Sequence, residues 1–215
     1  MVLSSAQAMP LAGAGLWLRT EAGCSLAIGR WPRFAYNASG GGGPAFGGPA
    51  HGGVALEEGW QGLQLDPAQL TIPDLCWRTT RFLGLPLPPG LRIALRPERL
   101  EGRWHHVTGA LELDFAARFQ FSLGGGLYRA PDLIVRTRLT TAAVVGSRHQ
   151  AVGQPLDGLG RGQLVGVAQV APSGDRWLDR FLGLPDEALA LLRCRLAPEE
   201  EPAPPAPAFR APAVG

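Results

Sequence analysis

The stretch LELDFAARFQF alternates without a break. Leu111, Leu113, Phe115, Ala117, Phe119 and Phe121 fall on one parity, and Glu112, Asp114, Ala116, Arg118 and Gln120 on the other. A strand places alternate side chains on opposite faces, so this run describes one dry and one wet face; a helix would scatter the same residues around its circumference. A chain that carries such a segment is committed to a sheet that buries one side. Thr108-Gly109 supplies a turn just before it, which makes Arg99–Val107 its hairpin partner.

The surrounding sequence repeats the pattern in shorter pieces. Leu133–Val145 is rich in β-branched residues, and Leu164–Val170 follows a turn-rich stretch as the returning strand. Further candidates are Leu16–Thr20, Ser25–Gly29, Arg33–Asn37, Val54–Glu57, Leu63–Leu65 and Arg92–Arg96. Strands this short and this closely spaced predict a mainly β, antiparallel single domain, barrel-like or a sandwich, over residues 1–197. Thirty glycines and twenty prolines fit many turns and argue against a helical bundle. The run at 38–53 (ASGGGGPAFGGPAHGG) reads as a flexible loop, and the Pro/Ala-rich segment 198–215 reads as a disordered tail.

Two segments break the β pattern, and both end in the hexapeptide RFLGLP, at Arg81–Pro86 and Arg180–Pro185. Ser173 offers an N-cap with Asp175 in the first turn, and Trp177, Leu178, Phe181 and Leu182 form one apolar stripe. Trp77, Phe82 and Leu83 give a looser version of that stripe. In each copy Gly supplies the left-handed residue after a helix and Pro forbids continuation. The hexapeptide therefore predicts two short helices. Their aromatic residues Trp77, Phe82, Trp177 and Phe181 would cover the protein's own core or form a docking surface.

The formal charge is +2, and all twenty basic residues are arginine. A chain without lysine has no Schiff-base or P-loop chemistry, and near-neutral charge predicts no general affinity for nucleic acid. Gly40–Gly43 lacks the Gly-Lys-Ser/Thr that a phosphate cradle needs. His105 and His106 are adjacent, so on a strand they point to opposite faces, and no metal site is expected. No nucleophile elbow is present, and Cys24, Cys76 and Cys194 have no histidine nearby in sequence. Glu112 and Asp114 share a strand face but read as solvated charges, so the expectation leans away from an enzyme, with no cofactor. The apolar stretch near the N-terminus is too short to cross a bilayer, and three unpaired cysteines suit a cytoplasmic protein without a transmembrane segment.

What remains is concavity. A barrel lined by Phe115, Phe119 and Phe121 either packs its interior or leaves an apolar pocket, and Arg136 and Arg138 could meet a polar head group if turned inward. These five residues are the candidate ligand-binding set. The expected role is non-enzymatic binding of a hydrophobic or amphiphilic small molecule, with structural or assembly interaction with a protein partner as the alternative.

The segments RLEGRWHHVTGALELDFAARFQFS, LYRAPDLIVRTRLTT and GDRWLDRFLGLPDEALALL resemble a protein family of cyanobacteria with plastid relatives in plants, over roughly Leu70 to Leu196. The resemblance implies a cyanobacterial cytoplasm or a plastid stroma, and a link to the photosynthetic apparatus for the assembly alternative. It carries over no activity, ligand or site residue.

Overall fold

The computed structural model describes residues 15–48 and 58–198. From the N-terminus, β1 (Leu16–Thr20), β2 (Cys24–Ile28) and β3 (Phe34–Tyr36) lead to β4 (Gly42–Gly48) and β5 (Trp60–Leu65). Three short strands follow: β6 (Leu75–Cys76), β7 (Thr80–Phe82) and β8 (Leu85–Pro86). A long hairpin pairs β9 (Arg92–His105) with β10 (Leu111–Leu123). Next come β11 (Tyr128–Arg129), β12 (Leu133–Thr140), β13 (Ala143–Val145), β14 (Gln150–Val152) and β15 (Arg161–Val170). One helix, α1 (Arg176–Leu182), precedes the last strand, β16 (Asp186–Pro198).

The strands close on themselves. Neighbours run β1, β4, β5, β9, β10, β12, β15, β16, and β16 pairs back to β1, all antiparallel. Closure removes the exposed edges that an open sheet would present. Along one edge, β16 changes partner: Ala188–Leu191 pair with β2, and Cys194–Pro198 pair with β1. From that split, β2, β3, β7 and β8 peel away as an arm, and β6 joins the far wall through Leu75↔Ile93. The barrel is therefore narrow at the β1 end and splayed at the arm end.

The alternation of β10 holds along its whole length, and the opposing strand adjusts to it. Leu100, Gly102 and Trp104 oppose Phe115, Leu113 and Leu111, whereas Ile93, Leu95 and Pro97 oppose Phe121, Phe119 and Ala117. The inward parity of β9 switches from odd to even because Glu98 is bulged out, and its carboxylate pairs with Arg118 on the outside.

The glycine-rich run is not a loop where it is described: Gly42–Gly48 is β4, sandwiched between β1 and β5. Its glycines serve close approach. A Cβ on Gly42, which has φ +124°, would lie 1.9 Å from the carbonyl oxygen of Leu18. Replacing Gly42 by Ala should cost about 2–3 kcal/mol, read as a shift of the urea midpoint at constant slope. Residues 49–53, the strand expected at Val54–Glu57 and residues 199–215 lie outside the described residues.

The second expectation to be corrected concerns the hexapeptide. Only its second copy ends a helix, where Gly183 (φ +75°) is the left-handed cap and its amide donates to the Asp179 carbonyl. The N-cap is Asp175, not Ser173: its carboxylate accepts the Trp177 and Leu178 amides, while the Ser173 hydroxyl donates to Asp179. The first copy forms the β7–β8 hairpin, with Phe82↔Leu85 paired across a two-residue turn of Leu83 (φ +50°) and Gly84 (φ +82°). Both central residues at positive φ make a type I′ turn. β3 supplies the partner that draws Thr80–Phe82 into the sheet, through Phe34↔Phe82 and Tyr36↔Thr80. What the two copies share is the left-handed glycine.

Candidate functional site: an apolar cavity in the splayed end of the barrel

The barrel is filled at one end and hollow at the other. At the narrow end Leu65, Leu100, Trp104, Leu111, Leu113 and Leu196 belong to one buried cluster, with Phe115 packed against it. Past Phe115 the walls diverge and enclose a cavity of about 560 Å³. Ile93, Phe119, Phe121, Val135, Val170 and Ala188 contribute its barrel wall; Phe34, Phe82 and Leu85 come from the arm, and Phe181 and Leu182 from α1. Among the described residues that line it, Thr80 is the only polar one.

Packing physics makes this volume unusual. Protein interiors hold few voids larger than a water molecule. Ordered water would need several polar partners and finds one hydroxyl. The size falls inside the ~300–1,000 Å³ range of small-molecule sites.

The helix sits across the wide end. Leu178 is fully buried and, with Leu182, packs on Phe121, Leu133 and Val170. The arm is tied to the helix by aromatic contacts. Trp31 touches Phe82 (5.9 Å between ring centroids) and Phe181 (5.6 Å), and its indole N–H donates to the Phe181 carbonyl at 3.0 Å. Trp177 stacks on Phe181 at 5.3 Å and meets Tyr128 edge-on at the same distance. An aromatic belt thus runs from the arm to the helix around the opening.

The candidates named from sequence separate cleanly. Phe119 and Phe121 line the cavity, and Phe82 and Phe181 belong to its rim; Phe115 does not line it and packs against the core of the filled end instead. Arg136 and Arg138 do not enter it. Residues 133, 135, 137 and 139 oppose the inward side of β10, which leaves Arg136 and Arg138 exposed on the outer face, where Arg138 pairs with Asp114 at 3.1 Å. Trp77 stands in the β6–β7 turn, half-exposed, with the Arg78 guanidinium over its ring, and does not line this cavity. Trp177 is also half-exposed, so neither tryptophan is a buried lid.

Other chemistry finds little support. Glu112 accepts from Arg103 at 2.9 Å and Asp114 from Arg138, so both carboxylates sit in outer-face ion pairs. Burial pushes the Cys24 thiol up and the Cys194 thiol to about 12, which keeps both protonated. Among the described residues no cluster of three His, Cys, Asp or Glu could hold a metal ion, and no helix is long and apolar enough to cross a membrane.

The wall strand Ala188–Leu191, which the sequence reading did not identify, completes the cavity. Just before it, Glu187 is almost fully buried on the outer side. Its carboxylate accepts the amides of Ser147, Arg148 and His149 at 2.7, 3.1 and 2.6 Å, plus the Ser147 hydroxyl and the Gln169 side chain. Burial alone would raise its pKa; the three amides overcome this and hold it below the usual carboxylate range. This carboxylate fastens the β13–β14 hairpin to the barrel wall. Compared with family models, with curated proteins and with solved structures, the chain matches none.

Proposed function

We propose that this protein binds a hydrophobic small molecule, apolar body inward, in the splayed end of the barrel. The observation that supports it is the cavity itself: about 560 Å³ with one hydroxyl among its lining residues. Among the described residues no charged side chain lines it, so the enclosed part of the ligand is uncharged. A long hydrocarbon chain or a fused-ring hydrocarbon meets these terms; a polar metabolite would leave its groups unpaired. An amphiphile fits with its head group outside the belt of Trp31, Phe181 and Trp177.

The test is native mass spectrometry and solvent extraction of the protein purified from its own source. The expected result is an extractable apolar compound near one per chain. A chain of unliganded mass that also fails to take up a hydrophobic fluorophore would overturn the reading.

A further inference from the structure

The rim of the cavity brings exposed apolar side chains and arginines together on one face. Leu83, at the tip of the β7–β8 hairpin, is 70 % exposed, and Leu85 beside it 71 %. Leu127, in the turn after β10, is 94 % exposed. These tips lie at one end of the barrel: Gly90 of the β8–β9 loop abuts Gly124 of the β10–β11 turn, and Tyr128 touches Trp177 of the helix. The half-exposed rings of Trp177 and Phe181 continue the same face.

Leu83 is the telling residue. Its φ of +50° is the conformation that asparagine or glycine adopts at this turn position without penalty. Here a left-handed backbone holds a leucine at the mouth of the cavity with 70 % of its surface in solvent, so it buries little. Strain kept at an exposed apolar tip points to a contact outside the molecule.

The charges indicate what that contact is. Arg30 and Arg33 bracket Trp31, Arg81 adjoins Phe82, Arg129 follows Tyr128, and Arg176 and Arg180 flank the α1 aromatics. None of the six makes an ion pair among the described residues. The nearby acids are fewer. Asp74 is paired with Arg92 and Asp186, beside Gly29, with Arg148; Asp175 and Asp179 accept amides at the start of α1, and Asp132 accepts from Gln120. With a whole-chain charge of only +2, this end holds a local cationic surplus. Apolar tips, interfacial aromatics and unpaired arginines together match an anionic bilayer surface, where leucines enter the acyl boundary and guanidinium groups meet phosphates.

We infer that the splayed end docks on anionic membranes, with the mouth of the cavity against the lipid. This goes beyond ligand binding, since it names the surface with which an apolar ligand would be exchanged without crossing water.

The full chain is sedimented with vesicles of pure phosphatidylcholine and with vesicles of equal parts phosphatidylcholine and phosphatidylglycerol. Binding to the mixed vesicles should be at least about tenfold stronger and should fall as salt is added. Arg81→Glu/Arg180→Glu should weaken it about tenfold or more, since each arginine near the surface is worth roughly fivefold. Leu83→Asn/Leu85→Thr should lose about tenfold while melting no lower than the parent, because asparagine suits the turn and threonine the strand.

Equal binding to both vesicle types, no binding to either, or binding indifferent to both variants would overturn the proposal. Self-association that the leucine variant abolishes, without vesicle binding, would reassign the face to a protein contact. Uptake of anilinonaphthalene sulfonate without vesicles reads the cavity separately. A chain that takes the fluorophore yet ignores vesicles fails here and leaves the cavity reading standing; the converse result does the reverse.

Discussion

Replacing Ala188 by Phe should abolish uptake of apolar ligands, with affinity falling about a hundredfold or more, while leaving the protein at least as stable as before. Ala188 is on β16 opposite Ile28 and Ala168, lines the cavity, and shares the inward parity of Cys194 and Leu196 deeper in the barrel. A phenyl ring there occupies the space proposed for the ligand and touches no charged group. The stability readout makes the test two-sided. In a packed core an added ring forces side chains off their rotamers and costs about 1–3 kcal/mol. In an open apolar cavity it gains contacts and removes surface from water, so the melting temperature holds or rises. Val135→Phe, from β12 two strands away, should repeat both effects. A destabilised Ala188→Phe protein that still binds would mean that the ligand sits elsewhere and that this wall is closely packed.

How much of this was legible beforehand depends on which residues carried the signal. The β9–β10 hairpin could be read because its alternation is a property of the segment alone, and the same holds for Leu16–Thr20. β16 escaped because Asp186–Pro198 is rich in Leu, Ala and Arg, residues that favour helix in isolation. It is a strand because β15 flanks it on one side and β2 then β1 on the other, a tertiary fact. β4 escaped because glycine signals either freedom or close approach, and only the neighbouring Leu18 carbonyl shows which. The first RFLGLP copy read as a helix end since a left-handed glycine serves that stop and a type I′ turn alike.

The site divides the same way. Phe119 and Phe121 were found because inward parity follows from the pattern of β10 itself. Arg136 and Arg138 could have reached the cavity only if β12 turned them inward; the drier parity of Leu133, Val135 and Leu139 faces the inward side of β10 instead, which puts both arginines outside. Of the rim, only Phe82 and Phe181 were named from the sequence. Leu26, Trp31, Leu75 and Leu91 meet around the cavity only because the sheet splits at β16.

Glu187→Gln should cost about 3–5 kcal/mol, roughly 10 °C in melting temperature for a chain of this length. The carboxylate accepts five hydrogen bonds, two amides on Oε1 and the Ser147 amide on Oε2 among them. A carboxamide keeps one accepting oxygen and turns an NH₂ toward the rest. The Ser147 hydroxyl and the Gln169 amide can reorient; the backbone amides cannot, and each one left buried without a partner costs about 1–3 kcal/mol. The pH dependence distinguishes charge from shape. Because the folded-state pKa of Glu187 is depressed, its contribution is complete above the unfolded carboxylate value and is lost as pH falls through the folded one. The stability gap between parent and variant, measured by urea unfolding, should therefore be widest near neutrality and shrink below about pH 4. A gap that stays constant into acid would show that the variant merely disturbs packing. If the gap closes as expected, the β13–β14 hairpin is fastened to the cavity wall by a buried charge, and acid should loosen that wall.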